Sequence, residues 1–131
     1  MRDDLYAGWH LLFDAFVDPE HAERLDDAEF LERLFRDLVE VLDMEILGEP
    51  AFKKIPCDPS RLDTEHDEGG VTGTVIVTTS HLSIHTWPLR KRFCLDVFSC
   101  KQFDHLAVER LVRARLRVER RSSRWIPRTW P

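Results

Sequence analysis

The sequence is poor in the features that would place it in several function classes. Three cysteines, Cys57, Cys94 and Cys100, are spread over 131 residues. That odd number without a Cys-x-x-Cys spacing argues against a disulfide framework and a zinc ribbon. No stretch approaches the roughly 18 uninterrupted apolar residues of a membrane-spanning helix, which excludes an integral helical membrane protein. The opening Met1-Arg2-Asp3-Asp4 carries acids where a secretory signal carries a basic segment and then an apolar one. A cytoplasmic location is therefore expected. There is no internal repeat and no low-complexity linker, and the length suits one domain.

What is present is a core and a divided charge. Hydrophobic residues make up 43% and charged residues 33%, which excludes a wholly disordered chain. The net charge of −5 hides an asymmetry: residues 1–79 hold 7 Lys/Arg against 20 Asp/Glu, and residues 80–131 hold 12 against 4. The basic end, from Arg110 to Arg128, could be a nucleic-acid patch. Packing of an acidic half against a basic half is preferred, because an acidic chain repels phosphate backbones at long range. No nucleic-acid or membrane partner is expected.

Trp9 to Phe16 predicts a first strand, broken at Asp18-Pro19. Asp26 or Asp27 can cap the helix that follows, with Glu29 completing a capping-box-like spacing from Asp26. Phe30, Leu31, Leu34, Phe35, Leu38, Val41 and Leu42 recur at the helical period through about Asp43. Residues 44–55 suggest a strand bent at Gly48-Glu49-Pro50, and residues 57–70 a loop with one short acidic cluster. Val71–Thr79, Leu82–Trp87 and Phe93–Cys100 predict three further strands. Asp104 can cap a second helix with Ala107, Leu111 and Ala114 on one face. Leu116 and Val118 alternate with arginines as in a half-buried strand, and Trp125–Pro131 suggests a tail over the surface. Strands in series with two helices imply an α+β two-layer sandwich: a mainly antiparallel sheet with both helices on one face. The other face needs cover, which predicts a homodimer.

The chemistry concentrates between Gly70 and Cys100. His81-x-x-x-His85 invites a metal reading, but in a strand residues four apart lie about 13 Å from each other, so no metal is expected. A Cys/His or a Ser/His nucleophile pair remains open. Alone, Ser80 reads as a surface hydroxyl, His85 as a half-buried histidine, and Cys94, Cys57, Trp87 and Phe98 as core or incidental groups.

Taken together, Gly70-Val71-Thr72-Gly73, then Ser80-His81-x-x-Ile84-His85-Thr86-Trp87-Pro88, then Asp96-Val97-Phe98-x-Cys100, resembles the prokaryotic S-adenosylmethionine decarboxylase family. Gly8-Trp9-His10 and the long helix extend the likeness. The resemblance implies a chain that cuts its own backbone at Thr79–Ser80, giving 1–79 and 80–131, and converts Ser80 to a pyruvoyl group. That covalent cofactor forms a Schiff base with the substrate amine and acts as electron sink. It further implies that His85 removes the processing proton, that Thr72 hydrogen-bonds the tetrahedral intermediate, and that Cys100 protonates the substrate carbon. Ser80 and His85, an odd number apart, point to opposite faces of a straight strand. Their meeting therefore predicts a bend or bulge between Ser80 and Ser83.

Two departures bear on substrate. Thr79 stands where the family commonly has glutamate. Leu89 replaces the glutamate that holds the ribose hydroxyls, removing partners worth about 1.5–3 kcal/mol each. The adenine-stacking aromatic falls near His66, among Asp63, Glu65, Asp67 and Glu68. The expectation is therefore decarboxylation of L-arginine or L-ornithine, with Leu89, Glu65, Asp67 and Glu68 lining the substrate site, ahead of S-adenosylmethionine. Either product feeds polyamine synthesis. A non-catalytic regulatory homologue is a further alternative.

Overall fold

Side chains alternate between buried and exposed along the central strands, and that alternation produces a sheet covered on one face. In the computed structural model, residues 5–62 and 68–131 are described. Strands β1 (Tyr6–Val17), β2 (Ala51–Ile55), β3 (Gly70–Val77), β4 (Ser80–Trp87), β5 (Arg92–Ser99) and β6 (Val118–Thr129) form one sheet in the order β2-β3-β4-β5-β1-β6. Every neighbouring pair is antiparallel. Helices α1 (Ala28–Val41) and α2 (His105–Leu116), with a 3-10 segment at Pro19–Asp26, cover one face. This is the expected α+β two-layer sandwich.

Leu11, Phe13, Ala15 and Val17 of β1 are buried beside Val71, Val75 and Val77 of β3, Leu82 and Ile84 of β4, and Phe93, Leu95 and Val97 of β5. Leu31, Leu34, Phe35 and Leu38 of α1 close over them, each such burial stabilising the fold by about 1.5–3 kcal/mol. Asp27 caps α1, its side chain accepting from the Phe30 N–H at 3.0 Å; Asp104 caps α2 through the Ala107 N–H at 3.1 Å.

Three expectations change. The buried face of α2 is Val108, Val112 and Leu116, while Ala114 is exposed. The larger β-branched and leucine side chains at i, i+4, i+8 win over the alanines because they remove more apolar area from water. Residues 125–129 are not a tail but the end of β6, running beside β1 from Val118 to Thr129. Pro127 is tolerated there because β6 is an edge strand. Residues 44–50 form no strand; Ile46 makes one bridge to Val77, and β2 begins at Ala51.

The second face of the sheet carries no helix among the described residues. Register places His10, Leu12, Asp14 and Phe16 of β1, Thr72 and Thr74 of β3, His81, Ser83, His85 and Trp87 of β4, and Cys94, Asp96 and Phe98 of β5 on it. Trp87 and Phe98 are therefore open-face aromatics, half-buried, not core ones, and Cys94 is exposed.

Candidate active site

The β3–β4 hairpin turns through Thr78-Thr79, with Val77 and Ser80 as the closing pair. Neither turn residue has positive φ, so this is not one of the primed two-residue turns that match strand twist. Its tip is held from outside instead: the Thr78 N–H donates to the Glu45 carbonyl at 3.1 Å. The Thr79 carbonyl, on the acyl side of the Thr79–Ser80 bond, accepts from the Cys100 backbone N–H at 3.2 Å. The Ser80 hydroxyl lies 3.0 Å from the Thr79 hydroxyl, which is 3.4 Å from that of Ser99 and 3.6 Å from the Met44 sulfur. Ser99 is fully buried, pairs with Ser80 in register, and its Oγ accepts from the Lys101 N–H at 2.9 Å. The sequence reading missed Ser99 and Met44. Ser99 was visible as the neighbour of Cys100; Met44 carried no local signal.

Thr72 and His85 face each other across β3 and β4, with the Thr72 Oγ1 and His85 Nδ1 3.2 Å apart. They lie on the open face, at the far end of β4 from Ser80. The register runs unbroken from Ser80 to His85 against β3 and from Ser80 to Trp87 against β5, so the expected bulge is absent. Full pairing on both sides leaves no room for an extra residue. Five residue steps along a straight strand separate Ser80 from His85 by about 16 Å, and the odd count sets them on opposite faces. One chain thus brings together Thr79, Ser80 and Cys100, and separately Thr72 and His85.

A cavity of about 250 Å³ beside the second group is lined by Ile55, Gly69, Gly70, Val71, Thr72, His85, Thr86 and Trp87. Thr86, the residue after His85, is 4% exposed. Its hydroxyl accepts from the Val71 N–H at 2.8 Å and donates to the Leu25 carbonyl at 2.7 Å, tying β3, β4 and the 3-10 segment together. Gly70 has φ of +141°, and a side chain on it would run into the Thr86 carbonyl. Cys94 pairs with His85 on β5; burial first, then the hydrogen bond to Asp14, pushes its thiol up to about 11. No third His, Cys, Asp or Glu joins His81 and His85 into a metal-holding group among the described residues.

Leu89 is half-buried in the 3-10 turn Pro88–Arg90. Glu68, expected to meet substrate, does not line the cavity. It is 1% exposed, with its Oε1 accepting from the Arg90 Nε at 2.6 Å. Arg90 also donates to the Leu62 carbonyl. Burial works to raise the Glu68 pKa, but the Arg90 bond, its own backbone N–H and nearby Arg92 outweigh it and hold the carboxyl below its ordinary value. The charge that was to attract a substrate cation is already neutralised. Asp63, Glu65, His66 and Asp67 lie outside the described residues.

Comparison with known proteins places these features in a family. The model of the S-adenosylmethionine decarboxylase family matches residues 9–129. An S-adenosylmethionine decarboxylase proenzyme of Clostridium botulinum (strain Loch Maree / Type A3) is 33% identical over 100 residues, 76% of this chain and 74% of the relative. One from Thermococcus kodakarensis is 34% identical over 94 residues, 71% of this chain and 55% of the relative. The crystal structure of the adenosylmethionine decarboxylase from Aquifex aeolicus superposes with a TM-score of 0.74, covering 97% of this chain and 94% of the other at 23% identity, and so shares the fold.

Proposed function

The chain belongs to the S-adenosylmethionine decarboxylase family and is a pyruvoyl-dependent carboxy-lyase; from that premise we propose that it cuts itself at Thr79–Ser80 and decarboxylates S-adenosylmethionine. The carrying observation is the Thr79 carbonyl, held by the Cys100 N–H at the hairpin tip next to the Ser80 hydroxyl. Attack of the Ser80 Oγ on the Thr79 carbonyl carbon places negative charge on an oxygen that already has a donor aimed at it. The Thr79–Ser80 C–N bond then breaks, leaving an ester and a free amine on Ser80. Loss of the Ser80 α-proton expels residues 1–79 as a carboxylate, and water converts the dehydroalanine to pyruvoyl and ammonia. The pyruvoyl carbonyl supplies the electron sink for loss of carbon dioxide. Cys100, one residue beyond β5 and tied by its backbone to this turn, is the proton donor assigned to the substrate carbon.

His85 and Thr72 cannot reach Ser80 within a straight β4. A homodimer through the open face lets the Thr72–His85 pair of a second copy take the processing proton and the intermediate's hydrogen bond. The uncovered sheet face with its exposed Phe16 and Ile76 supports this arrangement.

For substrate, the relatives' names favour S-adenosylmethionine, and the Arg90-paired Glu68 weakens the case for a basic amino acid. Leu89 supports the second reading, L-arginine or L-ornithine, since it offers the ribose no acceptor. Release of carbon dioxide from each of the three substrates at saturation separates the readings. For self-cleavage, the purified protein should run as two fragments on a denaturing gel. The 80–131 fragment should be lighter by one ammonia than a fragment with free serine at its start. Ser80→Ala should stay intact. A single full-length band that still decarboxylates would overturn the proposal.

A further inference from the structure

Ser99 is the last residue of β5, paired with Trp9 of β1 on one side and with Ser80 of β4 on the other, and it is fully buried. A hydroxyl sealed from water must find its partners inside the protein. Its oxygen accepts from the Lys101 N–H at 2.9 Å, two residues on, the turn by which a serine bends its own backbone. That turn encloses Cys100, whose N–H donates to the Thr79 carbonyl at 3.2 Å. The Ser99 proton is then left to give, and the acceptor it faces is the Thr79 hydroxyl oxygen at 3.4 Å, a long contact. The same Thr79 oxygen lies 3.0 Å from the Ser80 hydroxyl. The Thr79 proton has the Met44 sulfur, 3.6 Å away, as a weak acceptor.

One set of proton positions satisfies all of these groups. Ser99 and Ser80 both donate to Thr79, Thr79 donates to Met44, and Lys101 donates to Ser99. Ser80 then has its proton directed away along the Thr79 contact and its lone pairs free for the carbonyl carbon. We propose, resting on the self-cleavage reading, that Ser99 is a positioning residue for that cut. Its hydroxyl holds two things at once: the Cys100 N–H on the Thr79 carbonyl, through the turn to Lys101, and the Ser80 nucleophile, through the Thr79 hydroxyl. A donor fixed before reaction costs no reorganisation when charge develops on the carbonyl oxygen, whereas a loose one must first be ordered. Ser99 thereby serves the acyl shift alone, in which the Ser80 oxygen replaces the Ser80 nitrogen on the Thr79 carbonyl carbon and the hydroxyl proton passes to that nitrogen. The later loss of the Ser80 α-proton does not use it.

Freshly translated chain, sampled over time on a denaturing gel, tests this. Ser99→Ala should cut about tenfold more slowly than the native chain, short of the loss when an oxyanion donor is removed outright. Its uncut chain should resist hydroxylamine, which cleaves esters, because the block falls before the acyl shift. Ser99→Thr keeps the hydroxyl and should restore most of the rate. Thr79→Val, at the half-buried turn, should also slow cutting, and Thr79→Ser should not. Because the two residues share one chain of hydroxyls, Ser99→Ala/Thr79→Val should lose less than the product of the two single losses. If Ser99→Ala does not fold, the contrast between Thr79→Val and Thr79→Ser decides. Native-rate cutting in a folded Ser99→Ala or Thr79→Val overturns the role of Ser99 and leaves self-cleavage standing. So does a hydroxylamine-sensitive Ser99→Ala chain, or a folded Ser99→Thr as slow as Ser99→Ala. A native chain that never cuts overturns the self-cleavage reading itself, and this role with it.

Discussion

Replacing Thr86 with valine keeps the shape of a buried side chain and removes one hydroxyl. That hydroxyl serves two backbone groups, the Val71 N–H and the Leu25 carbonyl, from a residue 4% exposed. Neither group gains water in exchange, because Val71 and Leu25 are themselves buried. Each orphaned group costs about 1–3 kcal/mol, so Thr86→Val should destabilise the fold by about 2–6 kcal/mol. Thr86→Ser retains both bonds and loses one methyl, so it should cost only about 1 kcal/mol. Urea unfolding in the Ser80→Ala background, where the chain stays in one piece, compared at one fixed protein concentration, measures both. Because Thr86 adjoins His85, and Val71 adjoins Thr72, the valine variant should also slow self-cleavage in the otherwise native chain. If Thr86→Val unfolds within 0.5 kcal/mol of its parent, the hydroxyl is not the tie between strands and 3-10 segment that its geometry describes.

Further outcomes follow from the same contacts. With Arg90 in place, Glu68 titrates below its ordinary value, so its contribution is present above that value and lost as pH falls through the lowered one. In Arg90→Leu, burial is left as the chief influence and raises the Glu68 pKa. The loss of unfolding free energy in urea should then be larger at pH 7 than at pH 4, by about 2–3 kcal/mol, a figure discounted for the 34% exposure of Arg90. Cys100→Ala should still cut itself, because the group on the Thr79 carbonyl is a backbone N–H, yet lose turnover; Cys100→Pro removes that N–H and should stall cleavage on a gel time course. Gly70→Ala should lower the unfolding free energy measured in urea by at least about 1–3 kcal/mol, since alanine at this positive φ also meets the Thr86 carbonyl.

Sequence alone determined the features that depend on neighbours along the chain. The helical period from Phe30 to Leu42, the cap at Asp104, the alternation through Val71–Val77 and the run from Ser80 to Cys100 are local patterns. They settled α1, the central strands, the sandwich class and the family. Tertiary structure decided what depends on which distant segments lie side by side. The end of β6, from Trp125, reads as a tail until β1 offers it an edge, because a strand's hydrogen bonds belong to its partner. Ala107, Leu111 and Ala114 suit a helix face as well as Val108, Val112 and Leu116 do, until the sheet beneath rewards the larger side chains. Glu68 reads as an available charge until the turn after β4 brings Arg90 to it. Ser80 and His85 share a motif in the chain, but an unbroken register on both sides of β4 keeps them about 16 Å apart on opposite faces, since pairing with β3 and β5 outweighs any tendency of one strand to bulge.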